Sequence, residues 1–255
     1  MATALVTGAS AGLGEEFAWQ LATARHDLVI VARSRDRLSE LADVVASATG
    51  VTVEVLAADL STPDGREQVA ERLTDVSRPV SLLVNNAGFS TGKDFLDATW
   101  EEEAAQHDVL VTAPLRLTHA ALPGMVERGH GAILNVSSIA AHLANGTYAA
   151  HKRWVLEFTE ALAGQLRGTG VTATAVLPGL TRTEFHDSPE LEHYKDSTPD
   201  FAWLSAEQVV SAALTGVRRG SVTVTPSVRY ATAGALARLA PASLTRRTRS
   251  MRTQR

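Results

Sequence analysis

The chain has 255 residues, 45% hydrophobic and 20% charged, with a formal net charge of −4 and a pI near 6.1. That composition suits a globular protein with a sizeable core and argues against nucleic acid as its main partner. There is no cysteine, which excludes disulfides and thiolate metal sites, and neither a basic-then-apolar leader nor a run of about 18 apolar residues is present. The expectation is a cytoplasmic protein with no integral membrane segment.

Strand and helix signals alternate along the chain. Apolar or β-branched runs stand at 3–7 (TALVT), 27–32 (DLVIVA), 51–57 (VTVEVLA), 80–86 (VSLLVNN), 132–137 (AILNVS), 171–177 (VTATAVL) and 221–225 (SVTVT). Helix-length segments at 13–24, 36–48, 62–76, 99–113 and 147–167 lie between them. Thr62 before Pro63 marks a helix start, and Ser205 with Gln208 forms a capping box. On the segment 147–167, Trp154, Phe158, Leu162 and Leu166 recur every four residues and predict one apolar stripe, ended by Gly168 and Gly170.

This alternation predicts an α/β fold, a doubly wound parallel sheet of about seven strands with helices on both faces. The runs at 51–57, 171–177 and 221–225 alternate apolar with Thr or Glu and belong nearer the sheet edges. No linker or second core interrupts the pattern, so residues 1–241 form a single domain. Residues 180–204 lack periodicity and read as a loop over a substrate, and 242–255 hold five arginines and no acid.

The first strand runs into TGASAGLG, with Gly8, Ser10, Gly12, Leu13 and Gly14 just before a helix. Glycines there allow a tight turn and let the backbone approach a pyrophosphate, as in Rossmann-type folds. After the second strand an NAD site places an acidic residue on the ribose 2′-hydroxyl. Here that position holds Arg33, 19 residues beyond Gly14. An arginine suits a 2′-phosphate, so NADP(H) is expected over NAD(H).

Near the middle stands GTYAAHKRW, with Tyr148 and Lys152 four apart in a chain of three tyrosines and three lysines. Residues at that spacing share a helix face. A free phenol titrates near 10, and a nearby ammonium favours its phenolate.

The ordered set Gly8-x3-Gly12-x-Gly14, NNAG at 85–88, Ser138 and Tyr148-x3-Lys152 resembles the short-chain dehydrogenase/reductase family, its short single-domain branch. The similarity runs over about residues 3–225. The resemblance implies that Asp59 and Leu60 flank an adenine, and that Asn85, Asn86, Ala87 and Gly88 line the adenosine side and brace the sheet. It implies that Pro178 and Gly179 bound the nicotinamide and that Thr183 holds its carboxamide. Tyr148 would protonate the alkoxide forming from a ketone or aldehyde, Lys152 would also hold the nicotinamide ribose, and Ser138 would hydrogen-bond the substrate oxygen.

Two departures stand out. Ser138 lies 10 residues before Tyr148, a tighter loop than the resembled enzymes carry, so either that loop reshapes the pocket or Ser137 contributes. The family's active-site asparagine, which holds a water linking the lysine to solvent, falls here on Leu110, and no asparagine occurs from 87 to 134. His107, one turn earlier, is a candidate substitute or a packing residue.

The remaining signals are weaker. Phe185, His186, Tyr194, Phe201 and Trp203 suggest a fairly apolar carbonyl or alcohol substrate, or ordinary loop packing. His186, Asp187, Glu190, Glu192 and His193 carry no metal assignment. The arginine-rich tail reads as a solvated end. The helix stripe packs in the core or between subunits of a homodimer or homotetramer. The expected protein is an NADP(H)-dependent carbonyl reductase or alcohol dehydrogenase. The rivals are a catalytically weak NADP-binding regulatory or interaction protein, motivated by Leu110, and a nucleotide-sugar epimerase or dehydratase, disfavoured by the short chain and the Gly-x3-Gly-x-Gly spacing.

Overall fold

The computed structural model describes residues 2–143, 146–184 and 199–232. At its centre seven strands form one sheet in the order β3-β2-β1-β4-β5-β6-β7. They are β1 (Thr3–Thr7), β2 (Asp27–Ala32), β3 (Val53–Ala57), β4 (Val80–Asn85), β5 (Gly131–Val136), β6 (Val171–Val176) and β7 (Thr223–Val224). Every pairing is parallel. The order reverses between β1 and β4, the switch point outside whose carboxyl ends such sheets bind ligands.

Successive residues of a strand point to opposite faces, and β1 feeds both layers of the core. Ala4 and Val6 join Phe17 and Leu21 of α1 (Gly12–Thr23), Leu38 and Val45 of α2 (Arg35–Thr49), and Val209 and Leu214 of α7 (Ala206–Arg218). Leu5 joins Val69 of α3 (Pro63–Thr74), Leu117 and Met125 of α5 (Ala113–Glu127), and Leu162 of α6 (Gly146–Gln165). The alternating runs sit where expected: β3 and β7 are the two edges and β6 lies next to β7. β7 is shorter than the predicted 221–225.

The predicted helix 99–113 is longer in the structure. It begins as α4 (Trp100–His107), widens into a π turn over Asp108–Thr112 and continues as α5. Pro114 falls in the first turn of α5, where a missing N–H is tolerated. The run Trp100–Glu127 is long and apolar enough by composition to cross a membrane, but 56% of its most apolar window is buried inside the fold, as in a core helix.

The stripe predicted on α6 is found in part: Leu162 and Leu166 are buried and Phe158 packs against the same core. The buried face of α6 is Ala149, Lys152, Val155, Leu156, Thr159 and Leu162. A strict four-residue repeat drifts around a helix of 3.6 residues per turn, so Trp154 ends on the flank, stacked on Phe158 with centroids 5.0 Å apart. Behind the sheet's active end runs a buried polar chain. Asn85 Nδ2 donates to Thr118 Oγ1 (3.2 Å) and Asn135 Oδ1 (2.8 Å), and Asn135 Nδ2 donates to Thr159 Oγ1 (2.9 Å). It ties α5, β4, β5 and α6 together.

Candidate active site

A cleft of about 950 Å³ opens at the carboxyl ends of the strands. Gly8, Ser10, Gly12, Leu13, Arg33, Asp59, Leu60, Asn86, Ala87, Gly88, Ser138, Tyr148, Lys152, Pro178, Gly179 and Thr183 all line it. Gly14 does not line it. It packs beneath the loop, where a Cβ would collide with the Gly8 carbonyl.

The loop between β1 and α1 is built to receive an anion. α2, α3, α4 and α7 are each capped by a side chain, from Ser34, Thr62, Thr99 and Ser205. At α1 the capping position is Ala11, which supplies none. The first-turn N–H groups of α1 are therefore left for a ligand, with the helix dipole favouring negative charge. Asn86 holds the loop in shape, its Nδ2 donating to the Thr7 carbonyl at 2.9 Å while its backbone N–H donates to Thr7 Oγ1 at 3.0 Å.

At the far end of the cleft Arg33 is exposed and makes no hydrogen bond among the described residues. Partial burial opposes the charge of Asp59, but hydrogen bonds from the Ser61 hydroxyl and N–H, with Arg33 nearby, prevail and hold its carboxyl below the ordinary range. Arg37, which sequence reasoning passed over, reaches across the cleft mouth to Glu184 at 2.9 Å. The two lie 147 positions apart, so no local pattern pairs them.

The two serines divide their work. Ser137 is buried and its Oγ donates to the Lys152 carbonyl at 2.7 Å, fastening α6 to the end of β5. Ser138 faces the cleft, accepts from the Ala140 N–H at 3.1 Å and hydrogen-bonds the Tyr148 side chain. Its hydroxyl proton is thus free to donate to the phenol oxygen. The alternative in which Ser137 takes that place is not the arrangement seen.

Burial raises the Tyr148 pKa above its ordinary value, and the Ser138 hydrogen bond only partly opposes it. Lys152 is buried, which brings it down to about 8. Its Nζ donates to the Val136 carbonyl at 2.7 Å and lies 5.8 Å from the Tyr148 ring centroid. The expected lowering of the phenol by the ammonium is therefore not what sets its shift; desolvation is. Tyr148 stands protonated, the form a proton donor needs.

The model of short chain dehydrogenases matches residues 2–192. The chain belongs to the short-chain dehydrogenase family. A short chain dehydrogenase of Pseudocercospora fijiensis is 35% identical over 71% of this chain and 60% of its own length. Sulfoacetaldehyde reductase 2 of Chromohalobacter salexigens is 34% identical over 80% of this chain and 84% of its own. This dehydrogenase thus spans under two thirds of the first relative and most of the second. A solved short-chain dehydrogenase from Sphingobium yanoikuyae, in complex with NADPH, superposes with a TM-score of 0.85 at 32% identity, covering 100% of this chain and 98% of that one. Family and fold together make the protein an NAD(P)-dependent oxidoreductase of the Rossmann type.

Leu110 of this dehydrogenase lies in the π turn, 1% exposed. A Cβ placed on Gly88 would sit 2.9 Å from Leu110 Cδ2 and 3.5 Å from Lys152 Nζ, so the leucine methyl flanks the lysine's surroundings. His107 does not replace the missing polar group. It is exposed, its ring edge-on to His151 at 5.3 Å and its Nδ1 3.4 Å from Thr112 Oγ1. Phe201 and Trp203 do not line the cleft; they sit under Arg229 and Arg182 at 5.5 and 6.0 Å. They give no support to an apolar substrate. Phe185, Tyr194, the acidic and histidine cluster at 186–193 and the tail 242–255 lie outside the described residues. No grouping suited to a metal occurs among the described residues.

Proposed function

We propose that this dehydrogenase is an NADP(H)-dependent carbonyl reductase or alcohol dehydrogenase acting on a small ketone, aldehyde or the matching alcohol. The observation that carries this reading is Tyr148 on the cleft wall, hydrogen-bonded by Ser138, with Lys152 one helical turn on. The uncapped start of α1 and the glycine loop fit a dinucleotide pyrophosphate. Arg33 suits a 2′-phosphate, and the NADPH complex of the Sphingobium relative supports the same choice. Sulfoacetaldehyde reductase 2 supports an aldehyde or ketone as substrate class.

When bound, the nicotinamide supplies the hydride. Tyr148 gives its proton to the carbonyl oxygen, and Ser138 donates a hydrogen bond where negative charge develops. Lys152 holds positive charge beside the phenol and stabilises the phenolate left behind. Pro178, Gly179 and Thr183 wall the nicotinamide end, while Asp59, Leu60, Asn86, Ala87 and Gly88 bound the adenosine side.

Lys152 is cationic below about 8 and neutral above it. The reduction rate is therefore expected to fall as pH rises through that value, and the alkaline limb to vanish in Lys152→Met. A pH profile of kcat checks both, and a limb that persists in the variant would assign the titration to another group.

Leu110 gives the proton no polar path on its side of Lys152. Leu110→Asn is expected to raise kcat several-fold and to change the pH profile, with NADPH binding and a thermal melt confirming the fold. Unchanged rate and profile would make the leucine a packing residue. The leucine also favours one second reading, a cofactor-binding protein with weak catalysis. The direct test is NADPH and NADH consumption across aldehydes, ketones and diketones. Turnover supports the reductase, and tight NADPH binding with no turnover supports the second reading.

A further inference from the structure

Gln106 lies one turn before Leu110, on the face of α4 that meets the start of α6. It is fully buried, yet it borders the cleft beside Thr147 and Tyr148. Its Nε2 donates to Thr147 Oγ1 at 3.3 Å, and Thr147 Oγ1 donates to Glu103 Oε1 at 3.1 Å.

This chain decides which way the amide faces. A threonine hydroxyl has one proton, and a carboxylate only accepts. With that proton given to Glu103, Thr147 must accept from Gln106, so it is the amide nitrogen that faces Thr147. The amide oxygen is left over. Gln106 Oε1 is buried and has no hydrogen-bond partner among the described residues. Buried acceptors in folded proteins ordinarily find a donor, so an orphan on a residue that borders a cleft calls for one.

We propose that Gln106 is a specificity-determining residue whose Oε1 accepts a hydrogen bond from the substrate, selecting carbonyl compounds that carry a hydroxyl or amine close to the reacting carbon. The inference rests on the reading of Tyr148 as the proton donor, because Thr147, which holds the amide, directly precedes it on the cleft wall. It also replaces the apolar substrate suggested by the loop aromatics, since Phe201 and Trp203 do not line the cleft. A substrate lacking the donor leaves the amide oxygen buried and unpaired, which is the stronger form of discrimination available to a binding site. Thr147 and Glu103 act as positioning residues that hold the amide in that orientation.

The test compares hydroxyacetone with methoxyacetone, NADPH being the reductant. Both carry an oxygen beside the carbonyl, but only the first can donate. The wild-type protein is expected to favour hydroxyacetone in kcat/KM by about tenfold or more. Gln106→Met, close in volume but with only a weakly accepting thioether in place of the amide oxygen, is expected to bring that ratio down towards parity. Equal turnover of the pair by the wild type overturns the proposal without need of any variant. So does a ratio that survives in Gln106→Met, which would leave the amide a helix-packing group. Reduction of other ketones but of neither member of the pair overturns it as well. Failure on every carbonyl is a separate result, which removes the reductase reading and this inference with it.

Discussion

Tyr148→Phe is expected to lower kcat for carbonyl reduction by about 10²–10⁴-fold, the contribution typical of a positioned general acid. The substitution removes one oxygen and leaves the ring, so the half-buried packing of the side chain is kept. What disappears is the phenol hydroxyl that Ser138 hydrogen-bonds at the cleft wall, and with it the proton to be given. NADPH affinity should hold, because the uncapped start of α1 and the Asn86-braced loop lie elsewhere in the cleft. Fluorescence titration with NADPH and a steady-state assay on the same preparation separate the two effects. Loss of cofactor binding alongside turnover would give Tyr148 a structural role and sink its assignment as donor.

The elements that repeat a local physical rule were legible in the residues. β1 and β2 coincide with their apolar runs, and Thr62 and Ser205 cap the helices they were expected to start. Likewise the glycine loop and the Tyr148–Lys152 pair share one cleft. What was illegible depended on partners distant in sequence. Nothing near Arg37 points to Glu184, and nothing near Gln106 points to Thr147, 41 positions away. The division between Ser137 and Ser138 was open because both stand at the end of β5. Only the carbonyl of Lys152, 15 positions on, decides it. The π turn was hidden for another reason. A wide turn leaves apolar residues buried much as a regular helix does, and Pro114 then reads as a stop.

The phenol shows how burial can overrule a sound local argument. Spacing correctly put Tyr148 and Lys152 on one helix, but it carries no information about water. With both groups desolvated, the phenol moves up and the ammonium moves down to about 8. Each departs from its ordinary value toward neutrality, which is the direction low polarity imposes. The pair is thus set for reduction at neutral pH, with a protonated tyrosine beside a lysine still charged.

Arg33→Asp is expected to invert the cofactor preference, lowering kcat/KM with NADPH by about 10²-fold while that with NADH rises. A hydrogen bond to a charged group contributes about 1.5–3 kcal/mol, and about 1.4 kcal/mol is tenfold, so one lost phosphate contact accounts for much of the change. The new carboxylate would add repulsion toward a 2′-phosphate and an acceptor for a 2′-hydroxyl. Asp59 tempers the result. It now takes part of its lowered pKa from Arg33, and a second carboxylate in that place would raise it again. Arg37 is a poor replacement, since its guanidinium is already held on Glu184 at 2.9 Å. The measurement is the ratio of kcat/KM for the two cofactors in wild type and variant, on one substrate and at one pH. An unchanged ratio would mean that Arg33 does not meet the 2′ position, and the NADP(H) assignment would fall with it.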